Sequence, residues 1–177
     1  MDPLAQARAA IMRQHSPSQM RGVWSPRRPV TPTRYARYLA ESRIVHLALD
    51  AEDKPRIAPY ADILERDVED ARDRWGLDVP DVEFGPGTEY ARFLADETPQ
   101  RLLCHWWCLH FALLAGGRAV AGTLTQTLGW TPRYFDAPDP EVAKAALEYV
   151  RERADAEFAT ATTTAFAMQM AVLSVLE

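Results

Sequence analysis

The sequence predicts an all-α domain, and three observations carry that prediction. Four helix starts are marked by a capping side chain followed by proline, at Asp2-Pro3, Thr31-Pro32, Thr98-Pro99 and Asp139-Pro140. Apolar residues recur at three- and four-residue steps in the long segments, whereas the period-two alternation of a half-buried strand is almost absent. A chain of 177 residues, 47% hydrophobic and 10% aromatic, has enough apolar surface for one core, so a single domain over 1–177 is expected.

The elements follow in order. A first helix runs from Pro3 through Ile11, Met12 and Arg13 toward His15, then breaks in the proline- and glycine-containing stretch 16–30. A second spans 32–50, with Tyr35, Tyr38, Leu39, Ile44, Leu47 and Ala48 at helical spacing. Residues 58–75 form a charged helix, 76–87 an irregular loop and 88–96 a short helix. The central helix starts at Pro99 and continues, bent, past Gly116-Gly117 to Leu128. A loop over 129–138 leads into a final helical region over 140–176. No repeat of solenoid period and no low-complexity tract interrupts this order.

Charge narrows the partners. The net charge is −5, but residues 1–56 hold ten Lys and Arg against five Asp and Glu, and the remainder holds ten against twenty. A basic third without a dense Lys/Arg block argues for an anion site, an acidic partner or a solvated face, not for nucleic acid. No apolar run reaches the roughly 18 residues a membrane span needs. The segment Met1–Arg8 lacks a hydrophobic signal core or a serine-rich transit pattern, so the expected compartment is the cytosol, or the plastid stroma if a leader has been removed. The oligomeric state is unknown from the sequence.

Gly-rich phosphate loops, nucleophile elbows and His-Glu metalloprotease patterns are absent. Cys104 and Cys108, four apart on one apolar helix, are expected to be reduced core thiols, not a disulfide or a zinc site. His46, His105 and His110 fall on apolar helical faces, where a hydrogen-bonded core imidazole is the usual reading. His15 differs: it ends the first helix among polar neighbours, with Arg8 two turns earlier on one face. An imidazole for a metal and a guanidinium for a carboxylate are the groups an iron-centred ligand with acid side chains would need.

The most informative feature is the glycine pair in mid-helix. Each glycine costs about 1 kcal/mol against alanine in a helix interior, so Gly116 and Gly117 imply that something lies close to the backbone there. A helix crossing would do this, and so would a flat ligand.

Taken together, Arg8-x6-His15-Ser-Pro-Ser-Gln19, Tyr38-Leu-Ala-Glu-Ser-Arg-Ile-Val45, Pro99-Gln-x3-Cys104-His105 and Ala115-Gly-Gly-Arg118 resemble plant- and algal-type heme oxygenases over roughly 4–130. The resemblance implies a heme oxygenase-like multi-helix bundle in which heme lies between a proximal helix and a kinked distal one. It implies O2-dependent cleavage of heme to biliverdin, carbon monoxide and ferrous iron, with heme both substrate and cofactor and electrons from ferredoxin or a similar donor. His15 would be the axial iron ligand and Arg8 a propionate partner. Ala112, Gly116 and Gly117 would lie on the distal side, and Phe166 and Gln169 of the last helix beside the pocket.

Two positions depart from the family pattern. Leu113 stands where the family has Asp or His, three residues before the first glycine, so His110 one turn earlier becomes a candidate for the proton path. Trp107 stands where the family tends to place a propionate-binding tyrosine, and its indole N–H remains a donor. Lys144, Arg151 and Arg153 are further propionate candidates, or simply solvated charges. The alternative reading is a tetrapyrrole binder without turnover, or one with altered regiochemistry, because of Leu113. An enzyme of the wider helical superfamily acting on a small heterocycle would need a reactive thiol, and a structural adaptor would have no use for the glycine pair.

Overall fold

The computed structural model describes residues 2–14, 30–50, 58–77, 84–136 and 139–176, which are helices joined by short connections. Among the described residues there is no strand, and the all-α class is as expected. Residues 16–29 of the expected break and 78–83 of the expected loop lie outside the described residues, as does His15.

All four proline-led starts are capped as the sequence implied. Leu4 N–H donates to Asp2 Oδ1 at 3.0 Å at the head of α1 (Pro3–Gln14). Arg34 N–H donates to Thr31 Oγ1 at 3.3 Å to open α2 (Pro32–Leu49). Thr98 takes Arg101 N–H at 3.4 Å where α5 (Pro99–Leu128) begins, and Asp139 takes Glu141 N–H at 2.8 Å at α6 (Pro140–Arg153). Each such cap contributes about 1 kcal/mol. The charged helix α3 (Tyr60–Trp75) ends on Gly76, whose φ of 61° is the left-handed conformation a side chain would strain.

Two boundaries differ from the sequence reading. The short helix α4 (Pro86–Ala95) starts at Pro86, two residues before the expected Thr88, because its cap comes from elsewhere in the fold. Glu41 of α2 is fully buried and accepts Gly87 N–H at 2.6 Å. A Cβ at Gly85 or at Gly87 would collide with Glu41, so both glycines are required for that approach. The final region is two helices, α6 and α7 (Phe158–Leu173), with a one-turn 3-10 extension Ser174–Leu176. Between them Glu157 N–H donates to Asp155 Oδ1 at 3.0 Å, a side-chain turn that restarts the helix.

α2 packs against α3 and α4, α1 against α7, and α7 against α5. The core they share contains Tyr35, Leu39, Leu64, Trp107, Leu124 and Phe158, all nearly or completely sealed from solvent. Among the described residues one segment, Phe158–Leu176, is long and apolar enough by composition to cross a membrane, although Thr, Gln and Ser interrupt its apolar run. In this fold it buries Phe158, Ala165, Phe166 and Val172.

Within the expected loop 129–138 lies one 3-10 turn, Arg133–Phe135. Asp67 of α3, fully buried, accepts Arg133 N–H at 3.2 Å and Tyr134 N–H at 2.8 Å, which satisfies two donors at the head of that turn. The turn is thereby clamped between α3 and α5, and it delivers Tyr134 and Phe135 to the middle of the molecule.

Candidate functional site

α5 carries the site. It is bent by 56° between Pro99–Leu114 and Gly116–Leu128, as a glycine pair permits. The two glycines play different parts. A Cβ on Gly117 would lie 3.3 Å from the Phe135 carbonyl oxygen, so the helix backbone rests on the clamped 3-10 turn. A Cβ on Gly116 would meet no described residue within 4 Å. Among the described residues, the first glycine of the pair has no close neighbour and the second is a close backbone contact, so the close approach expected of a crossing describes Gly117.

Ala112 and Leu113 are partly buried one turn before the pair, and Leu113 packs against the core. Leu113 offers no hydrogen bond. His110, two turns before Gly117, is turned toward α2 and α3. Its ring lies 5.5 Å from His46 and 5.3 Å from Tyr60, and its Nδ1 sits 2.7 Å from the Trp106 carbonyl. Burial pushes the His110 pKa down to about 4 and that of His46 well below its usual value, so both imidazoles are neutral at pH 7.

Across α5, Arg8 of α1 places its guanidinium 4.9 Å over the Phe111 ring, and Phe111 stacks on Trp107 at 4.9 Å with the planes 10° apart. Trp107 is otherwise enclosed by Phe158. Its indole Nε1–H is buried without a partner, a deficit that typically costs about 1–3 kcal/mol. Arg8 itself is exposed. The structure thus brings Arg8 to the face of α5 that carries Trp107, although the two are a hundred residues apart in sequence.

The remaining expected residues are placed as follows. Phe166 is buried in α7, and Gln169 of the same helix takes a weak hydrogen bond from Cys108 Sγ at 3.5 Å, two turns before Gly116. Lys144, Arg151 and Arg153 lie exposed on α6. Arg153 folds back over the Tyr149 ring at 3.9 Å and pairs with Glu152 at 3.3 Å. Cys104 and Cys108 are buried free thiols, and burial pushes Cys104 up to about 12 and Cys108 higher still. An open groove of about 590 Å³ lined by Gln6, Ala9, Arg13, Thr160 and Thr163 runs between α1 and α7 and contains no residue of α5.

Sequence reasoning missed three participants. Phe135 is the seat of Gly117, Asp67 fixes Phe135, and Tyr134 meets His46, its hydroxyl 3.1 Å from His46 Nε2. Asp67 and Tyr134 act across more than sixty residues of chain, and Phe135 meets Gly117 from beyond the end of α5. The only local signal was an aromatic pair, Tyr134-Phe135, in a segment read as loop.

No family model matches the chain. It is similar to heme oxygenase 1, chloroplastic, of Oryza sativa subsp. japonica, 29% identical over 141 residues covering 68% of this chain and 48% of that protein. Heme oxygenase 1 and heme oxygenase 3, both chloroplastic, of Arabidopsis thaliana are 28% and 27% identical over 119 residues, covering 59% of this chain and 40% of each. The chain spans about half the length, or less, of the curated relatives it matches. By these matches, and with an all-helical architecture whose long central helix bends at a glycine pair, the chain is similar to plant heme oxygenases.

Proposed function

We propose that this chain binds heme against the open face of Gly116 and cleaves it to biliverdin, carbon monoxide and ferrous iron. The observation that carries the reading is the division of labour in the glycine pair. Gly117 is held by the Phe135 carbonyl, which fixes the bend, while Gly116 leaves its side-chain face free for a flat molecule. Heme, when bound, supplies the oxygen-activating iron and is itself the molecule cleaved.

The described residues fit such a substrate. The Arg8 guanidinium is a cation for a propionate, and Trp107 Nε1–H is a donor that no protein atom has taken. Ala112 and Gly116 keep side chains short on the wall that would face the ring. Leu113 keeps that wall apolar and holds no proton. His15, the proposed iron ligand, adjoins the last described residue of α1. Phe166 and Gln169 are retained as proposed pocket residues at the α5–α7 contact.

Electrons would come from ferredoxin or a similar donor, and the relatives' chloroplastic designation makes the plastid the compartment in which to seek it.

A second reading rests on a specific observation. With Leu113 at the distal wall and His110 turned toward His46 and Tyr60, no described imidazole or carboxylate stands beside Gly116 to hand on a proton. On that reading the chain binds heme without turnover, or with altered regiochemistry. The test is hemin added to the purified chain, followed by ascorbate or reduced ferredoxin. A Soret band that His15→Ala shifts or abolishes, followed by biliverdin, supports the oxygenase. A stable oxygenated complex without biliverdin supports the binder, and an absent Soret band overturns both.

A further inference from the structure

We propose that His46, Asp50 and His110 form a binding site for one divalent transition-metal ion of the zinc, cobalt and ferrous class, separate from any heme. One ligand atom from each residue lies within 4.8 Å of the other two. His46 and Asp50 are one helical turn apart at the end of α2, with His46 Nδ1 4.0 Å from Asp50 Oδ2, and His110 approaches from α5. Two imidazoles and a carboxylate are a donor set that these metals share.

The second observation is independent of the clustering. His46 is fully buried, yet its Nδ1 has no hydrogen-bond partner, and that nitrogen faces the Asp50 carboxylate. Buried polar atoms are almost always satisfied, so a missing partner at this atom is what an absent cation would leave.

The surroundings are arranged as a metal requires. The Tyr134 hydroxyl at 3.1 Å from His46 Nε2 can accept the Nε2 proton, leaving the Nδ1 lone pair for the ion. The Trp106 carbonyl at 2.7 Å accepts the His110 Nδ1 proton, leaving Nε2 as the lone-pair nitrogen. Such outer partners orient ligating imidazoles and fix their tautomers. Burial keeps both rings neutral, the form that binds metal. Asp50 is the ligand in contact with solvent, so the ion enters past it. Ligands at a tetrahedral centre with bonds of about 2 Å stand about 3.3 Å apart, so the 4.0 Å gap closes by less than an ångström.

Because this site does not depend on heme, its test uses heme-free protein. The untagged chain, stripped with chelator, is titrated with Co2+ while its d–d bands are recorded, and then with Zn2+ in competition. The expected result is one equivalent bound, with Zn2+ displacing Co2+. Asp50→Asn, at the solvent edge, and His46→Gln each weaken that binding at least tenfold while circular dichroism is unchanged. The Cys104→Ser/Cys108→Ser double variant binds as the parent does. Absence of saturable binding at one equivalent overturns the proposal. So does binding left intact in Asp50→Asn, or lost in the cysteine double variant with its fold preserved.

Discussion

Glu41 and Gly87 are joined by a 2.6 Å hydrogen bond in which a buried carboxylate from the middle of α2 accepts a backbone N–H in the first turn of α4. It is a helix cap supplied across 46 residues of chain, and negative charge at that end also suits the helix dipole. Burial raises the Glu41 pKa, and the Gly87 N–H together with Arg37, 3.5 Å away, works against that rise. Glu41→Ala leaves the N–H buried without an acceptor and is expected to lower unfolding free energy by about 1–3 kcal/mol in urea titrations. Gly87→Ala forces the same two segments apart and should be at least as damaging.

His105 sits with Nδ1 2.7 Å from the Tyr90 hydroxyl, and burial, aided by Arg101, pushes its pKa down to about 4. In the unfolded chain the same ring titrates near 6.5. The unfolded state therefore binds more protons between those values, so the stability His105 contributes is complete above about pH 6.5 and lost as pH falls toward 4. Thermal melts across that window should show the loss, and His105→Gln should flatten the slope by about one proton.

The two glycines of α5 predict opposite outcomes for one chemical change. Gly116→Ala meets no atom of the described residues and gains helix propensity, so the heme-free chain should become more stable by up to about 1 kcal/mol while hemin affinity falls. Gly117→Ala presses on the Phe135 carbonyl at 3.3 Å and should lower the melting temperature without any ligand present. Equal effects of the two on hemin binding would contradict the assignment of the open face to Gly116.

Leu113→His or Leu113→Asp should raise the rate of biliverdin formation at least tenfold with little change in hemin affinity, because it adds a polar group beside the proposed distal face and leaves Arg8, Trp107 and Gly116 alone. Single-turnover spectra with ascorbate read both quantities. Unchanged turnover with normal binding would show that the proton route does not run past this position.

Legibility divided along the range of the interactions. The four helix heads with their own capping side chains could be read because cap and helix are contiguous, and the glycine pair could be read because its cost is local. The head of α4 could not, since its acceptor is Glu41, nor could the 3-10 turn, whose donors go to Asp67. The break between α6 and α7 carries neither proline nor glycine and depends on the short Asp155 turn. At the site, the bend was legible and its support on Phe135 was not. His46 and His110 each read as a solitary core imidazole. That they face each other at 5.5 Å is a property of how α2 meets α5, which no spacing encodes.

Cys104 and Cys108 are 1% and 2% exposed and remain protonated at neutral pH, so maleimides and methanethiosulfonates should pass them by. The chain is in that respect already a cysteine-silent host for spectroscopy. Spin labels attached through Arg101→Cys and Gln126→Cys, both exposed and on opposite arms of α5, would report the elbow of that helix as one interlabel distance, read in solution before and after hemin is added.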